Sequence, residues 1–337
     1  MPLWPVYTGT SEPHDGITRL PPPPPWRAFD GTPALASPDE GDAASPDRTH
    51  RAETYRATPQ TVQLVNAALY LRRPLLVTGP PGTGKSSLVY AVARELRLGP
   101  VLRWNITSRS TLDDGLYQYD PLSRLYAARQ AAGHTAEDIP ETGIEDHLRL
   151  GPLGTALLPF DRPRALLIDE IDKSDLDLPN DLLNVLEEGQ YEIPELVRTA
   201  RRTPTAEVMI DGTDERVPVE RGRVRCRAFP FVVLTSNGER EFPPAFLRRC
   251  VTLRLRQPDD GQLTAIVRAH FDEEPDAYAQ TLITRFLSRV GGGDLATDQL
   301  LNAIYLARSS DLGAESLDEL AEQLMPYLGE TPQADAF

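Results

Sequence analysis

Apolar residues fall in short, largely unbroken runs through the middle of the chain: PLLVT at 74–78, VLRWN at 101–105, ALLI at 165–168, PFVVLT at 230–235 and VTLRL at 251–255. Runs of this length are too short for buried helices and predict strands covered on both faces. Helical periodicity fills the spaces between them. TPQTVQLVNAALYLRR at 58–73 places Val62, Val65 and Leu69 on one face, and SSLVYAVARELR places Leu88, Val92 and Leu96 on another. A third helix follows ALLI, with Pro179 suited to its first turn, Leu182, Leu183 and Leu186 as its packing stripe and Gly189 as its stop. Strands alternating with helices predict an α/β fold with a mainly parallel sheet between helical layers.

The pattern changes at both ends. Residues 1–50 are rich in Pro, Gly, Asp and Ser, carry PPPPP at 21–25 and show no sustained period. They predict a disordered Pro-rich tail, with Trp26 and Phe29 able to dock on the body or on a partner. Beyond 257 the strands stop, and helical patterns near 260–271, 276–290, 297–309 and 316–328 predict a small helical lid. The expected organisation is thus a tail (1–50), an α/β nucleotide-binding domain (51–257) and a helical lid domain (258–337).

Between Tyr191 and Phe229, VMIDGTDERVPV followed by RVRCRAF predicts a hairpin. Its Arg223, Arg225 and Arg227 share one face, and Val224, Cys226 and Ala228 share the other. With Arg198, Arg201 and Arg202 nearby this is the main basic patch, read either as an exposed strand face or as a contact for an acidic partner.

Composition narrows the function classes. A formal net charge of −15 disfavours general binding to nucleic acid or to an anionic membrane. No apolar run approaches the roughly 18 residues needed to cross a bilayer. The opening MPLWPVYTGT lacks the order of a secretory signal, and two cysteines, Cys226 and Cys250, make a disulfide framework unexpected. A cytoplasmic location and buried, unreactive thiols are expected. Only Lys85 and Lys173 among the 35 basic residues are lysines. Against an arginine background, a lysine suggests a position where a compact ammonium is required.

Lys85 lies in Gly79-Pro80-Pro81-Gly82-Thr83-Gly84-Lys85-Ser86-Ser87, which fits G-x-x-x-x-G-K-[ST] between a strand and a helix. Glycines let successive N–H groups face an anion, and a helix beginning at Lys85 would add its positive end. Lys85 is expected to reach the β and γ phosphates of a bound triphosphate, and the Ser86 hydroxyl to ligate Mg2+. ALLI delivers Asp169 and Glu170 to the same sheet edge if the strands are parallel. Asp169 then becomes the second magnesium-side ligand and Glu170 the base that polarises an attacking water. Asp172, Asp175 and Asp177 read as structural acids, with Asp177 as a helix cap. The next strand ends at Thr235, with Asn237 just beyond.

GPPGTGKSS, LLIDEID, LTSN and FPPAFLRRC, in this order, resemble an AAA+ ATPase. NITSRSTLDDGLYQYD at 105–120, GPLGTALL at 151–158 and LLNVLEEGQYEIPEL at 182–196 resemble the MoxR-type branch. The resemblance implies ATP and Mg2+ as cofactors, Asn237 as sensor 1, and Arg248 or Arg249 as a finger acting in a neighbouring subunit. It also implies a homo-hexameric ring and a protein client, with a von Willebrand A domain protein as one such partner. The lid departs from the pattern. Asp298 stands about where relatives carry a sensor-2 arginine, so that either another residue such as Arg268 substitutes or nucleotide sensing by the lid is weak. Tyr55, Arg56 and the first lid helix are the expected adenine contacts. The implied function is Mg-dependent ATP hydrolysis that remodels or activates a protein partner. The alternatives are a slowly turning regulatory switch or scaffold, and a DNA-directed motor.

Overall fold

A computed structural model describes residues 4–38, 45–131, 143–289 and 296–309, with single positions at 319, 323 and 324. At its centre five parallel strands lie in the order β11-β1-β10-β5-β2. They are β1 (Leu75–Thr78), β2 (Leu102–Asn105), β5 (Ala165–Asp169), β10 (Phe231–Ser236) and β11 (Val251–Arg254). The strands expected from the apolar runs are all present. β5 and β10 are buried at every residue, whereas the edge strand β2 alternates buried and exposed positions. An edge strand has one open face, and Arg103 uses it.

Helices α2 (Pro59–Leu71) and α3 (Ser87–Leu96) cover one face of the sheet, and α6 (Pro152–Ala156) and α7 (Leu178–Glu188) cover the other. Thr58 caps α2 by accepting the Thr61 N–H at 3.2 Å. α3 is continuous with the preceding loop, because Leu88 N–H donates to Gly84 O. α7 ends as expected at Gly189, in the left-handed region at φ 62°. Its opening differs from expectation. Asp177 makes no capping hydrogen bond, and Asp175 Oδ1 accepts the Asp177 and Leu178 N–H groups instead.

A second sheet runs β3-β4-β7-β8-β9-β6. It joins β3 (Tyr117–Tyr119) and β4 (Leu148–Leu150) to β6 (Gln190–Glu192), β7 (Thr205–Met209), β8 (Arg216–Glu220) and β9 (Arg223–Arg225). The pairing differs from the expected hairpin: β7 and β8 pair with each other ahead of Arg223, and β9 meets β8 only at Glu220↔Arg223 and pairs along its length with β6. Arg223 and Arg225 are exposed and Val224 and Cys226 buried, as the alternation requires. Two arginines of the basic patch are already paired, Arg223 with Glu192 and Arg225 with Asp30. Short helices α4 (Leu112–Leu116), α5 (Pro121–Ala131), α8 (Pro194–Thr199) and α9 (Pro244–Leu247) complete this part of the chain.

Of the expected tail, the described residues 4–38 and 45–50 are not the disordered segment that the composition predicts. Val6 and Tyr7 are fully buried in the core that α2 and α3 share, and both N–H groups donate to Asn66 Oδ1 at 2.7 and 3.0 Å. The buried Glu95 carboxylate accepts from Thr8, Thr10 and Ser11 N–H and contacts His14. Further on, Arg27 inserts between α2 and α7, and Leu35 bridges to Phe160. The segment behaves as a strap because a few strong anchors outweigh a polar average. Its boundary also shifts, since α1 (Pro46–Thr54) runs through residue 50 and is tied to α3 by the Glu53–Arg94 pair.

The lid contains α10 (Asp260–Phe271), α11 (Ala277–Arg289) and α12 (Thr297–Ser309) around a small core of its own. Asp259 and Gln262 form a capping box at the start of α10. The helix expected near 316–328 lies outside the described residues apart from the single positions.

Candidate nucleotide site

The C-terminal ends of β1, β5 and β10 open onto one cleft of about 1460 Å3 between the α/β body and the lid. That volume exceeds the roughly 300–1,000 Å3 typical of small-molecule sites. Tyr55 and Arg56 line it from the body, and Gln262, Ile266 and His270 line it from α10. His270 meets His50 edge-on at 5.0 Å, and its pKa is lowered by burial, which favours the neutral ring.

The phosphate loop lies on the cleft floor. Gly82 and Gly84 hold φ of 71° and 81°, a region side chains rarely tolerate. At Gly82 there is also no room, because an added Cβ would lie 2.4 Å from the Cβ of Ala296 at the start of α12. The lid therefore touches the loop directly. Lys85 Nζ donates to Gly79 O at 2.8 Å and to Pro80 O at 2.7 Å, and Thr83 Oγ1 donates to Pro80 O. Pro81 and Ser87 also line the cleft.

Asp169, at the end of β5, is buried and gathers four elements. Its Oδ1 accepts from Ser86 Oγ at 2.8 Å and from Thr235 Oγ1 at 2.7 Å, and its Oδ2 accepts from Arg103 Nη2 at 3.0 Å. Thr235 Oγ1 in turn accepts the Glu170 N–H at 2.9 Å. Glu170 occupies the left-handed region at φ 60°. Its carboxylate pairs with Lys173 Nζ at 2.7 Å, and this contact raises the Lys173 pKa. Both lysines of the chain are thus at the site.

The structure brings Lys85, Ser86, Asp169, Glu170 and Asn237 onto the same cleft. Asp172, a structural acid of a surface loop by sequence, joins them from behind. It is buried, and its Oδ2 accepts the N–H groups of Asn237, Gly238 and Glu239. Arg248 and Arg249 lie outside the cleft. Arg249 is engaged, its Nε donating to Glu187 Oε1 at 2.5 Å, while Arg248 is exposed. Arg268 pairs with Glu274 and does not line the cleft. Asp298 does line the cleft, and among the described residues no lid arginine does.

Arg103 has no role in the sequence reading, and Thr235 enters it only as the end of a strand. The available signals were a charged residue breaking an apolar run and a hydroxyl closing a strand, both common without function.

Ser86 Oγ and Asp169 Oδ1 are oxygen donors meeting beside an anion-binding loop, which fits Mg2+ held mainly through phosphate and water. No curated protein matches the chain. Residues 74–250, just over half of it, match the AAA domain (dynein-related subfamily). That stretch runs from β1 through Asp169 and Glu170 to the two arginines, so the phosphate loop, the paired acids, Asn237 and both arginines fall within one matched unit. The chain belongs to the AAA domain family, in its dynein-related subfamily, and is an AAA+ ATPase.

Proposed function

We propose that this ATPase hydrolyses ATP with Mg2+ in the manner of the MoxR branch and uses the cycle to remodel or activate a protein client. The observation that supports it best is the 2.8 Å approach of Ser86 Oγ to Asp169 Oδ1, with Glu170 next in the chain. Magnesium, when bound, would offset triphosphate charge and orient the γ phosphate. Lys85, now on the Gly79 and Pro80 carbonyls, has its ammonium within the same loop and would exchange these acceptors for phosphate oxygens. Glu170 would polarise the attacking water, and Asn237 would orient it from the loop after the neighbouring strand β10.

Arg248 is the better candidate for a finger acting on a neighbouring subunit, since Arg249 is committed to Glu187 within its own chain. A finger in trans requires a head-to-tail assembly, and such contacts close into a ring. A hexamer, with a von Willebrand A domain protein as a partner, follows from the MoxR resemblance, and a cytoplasmic location from the cysteine usage.

A slowly turning switch is the second reading, favoured by the Lys173–Glu170 pair and by the lack of a lid arginine on the cleft among the described residues. Steady-state ATPase measurements on the full chain and on Glu170→Gln test the proposal. Loss of turnover with retained nucleotide binding is expected. Equal rates for the two proteins would sink it.

A further inference from the structure

We infer that Asp172 is a positioning residue that holds Asn237, and hence the attacking water, in register with Glu170. The inference rests on the proposed roles of Asn237 and Glu170. Asp172 follows the Asp169-Glu170 pair in a single turn of 3-10 helix, Ile171–Lys173. It is only 3 % exposed, yet it faces away from the nucleotide toward the loop after β10. There one oxygen, Oδ2, accepts three consecutive main-chain donors, from Asn237 at 2.9 Å, Gly238 at 3.1 Å and Glu239 at 3.2 Å.

Three consecutive N–H groups converging on one acceptor oxygen hold the start of the loop after β10 as a unit. The contact also fixes the backbone at Asn237 itself, and the direction of a side chain follows from its backbone. A second tie runs the other way, from Arg240 Nη1 to Ser174 O. Thr235 binds both Asp169 Oδ1 and the Glu170 N–H one step closer to the cleft. The tips of β5 and β10 are therefore joined three times over. Asp172 is the member whose loss frees the Asn237 backbone while leaving the β5 ligands untouched.

Preorganised geometry of this kind acts on turnover rather than on ground-state binding. The test uses the full-length chain with Asp172→Ala, Asp172→Asn, Asn237→Ala and the Asp172→Ala/Asn237→Ala double variant. Turnover is measured at saturating ATP, and affinity is measured with a fluorescent ATP analogue. Asp172→Ala should keep nucleotide affinity within about twofold and lose turnover on the order of 10- to 100-fold. Asp172→Asn, which keeps an acceptor oxygen of the same shape, should recover most of that loss. The double variant should be no slower than Asn237→Ala, because both changes remove one function. The inference is overturned if Asp172→Ala turns over like wild type, if it loses affinity and turnover together, if Asp172→Asn recovers nothing, or if the double variant shows additive losses. Lys85→Ala and Glu170→Gln are measured beside these. Undiminished turnover in both would show that the proposed ATPase site, rather than the role of Asp172, is at fault.

Discussion

Lys173 Nζ lies 2.7 Å from Glu170 Oε2, so the carboxylate assigned to activating water is held by the chain's second lysine. An ammonium at this distance draws the carboxylate toward the 3-10 turn and occupies one of its oxygens. That engagement opposes turnover. Lys173→Met should therefore raise basal turnover at saturating ATP, with KM little changed. The pair is nearly half exposed, and exposed pairs contribute roughly 0.2–1 kcal/mol, which corresponds to about a 1.4- to 5-fold increase. A fall in turnover would mean that Lys173 assists Glu170 instead.

The two arginines of FLRRC separate on the same kind of evidence. Arg249 donates through Nε to Glu187 and through Nη1 to Ala245 O, whereas Arg248 is exposed with no ion pair or hydrogen bond to its guanidinium among the described residues. Arg248→Ala should cut turnover on the order of 10³-fold without weakening nucleotide binding, and Arg249→Ala should mainly lower stability. Mixing Arg248→Ala with Glu170→Gln chains provides the check. If the finger acts in trans, some interfaces pair an intact Arg248 with an intact Glu170, and turnover reappears. A mixture no faster than the sum of its parts would place the arginine outside the neighbouring site.

Much of the site was readable because its signals are local. Gly79 to Ser86 declare an anion loop within eight residues, and ALLI followed by Asp169 and Glu170 declares a strand delivering acids to the sheet edge. What escaped depends on partners distant in sequence. Asp172 is bound to main-chain N–H groups some 65 positions away, and a backbone donor leaves no mark on residue identity. The second sheet joins β4 to β7 through the single register pair Arg149↔Met209, which alternation within either strand cannot reveal. The strap was missed for a different reason. Disorder is inferred from average composition, and Val6, Tyr7 and Arg27 are too few to move an average.

Both cysteines fulfil the expectation of burial, and burial pushes each thiol up to about 12. The thiolate is the reactive form, so at pH 8 only about one thiol in 10⁴ is ionised in the folded protein. Iodoacetamide at pH 8 should leave Cys226 and Cys250 unmodified in the native chain and label both in denaturant, as read by intact mass. Rapid native labelling of either would contradict its burial.

The strap can be tested through Arg27, the side chain that fastens it to the body. Its Nε and Nη2 donate to Arg72 O, Nη2 also to Leu186 O, and Nη1 to Glu187 O, while its guanidinium lies over Phe29 and Phe229. It thereby supplies donors at the C-terminal ends of both α2 and α7, where helices leave carbonyls without internal partners. Arg27→Met keeps much of the aliphatic packing but leaves those carbonyls unpaired in a buried site. The expected cost is about 2–4 kcal/mol, seen as a lower urea midpoint at unchanged slope. Arg27→Lys should fall between, since one ammonium cannot span three carbonyls on two helices as a planar fork does. A loss below about 0.5 kcal/mol for Arg27→Met would mean that the strap is held by its Asn66 and Glu95 anchors alone.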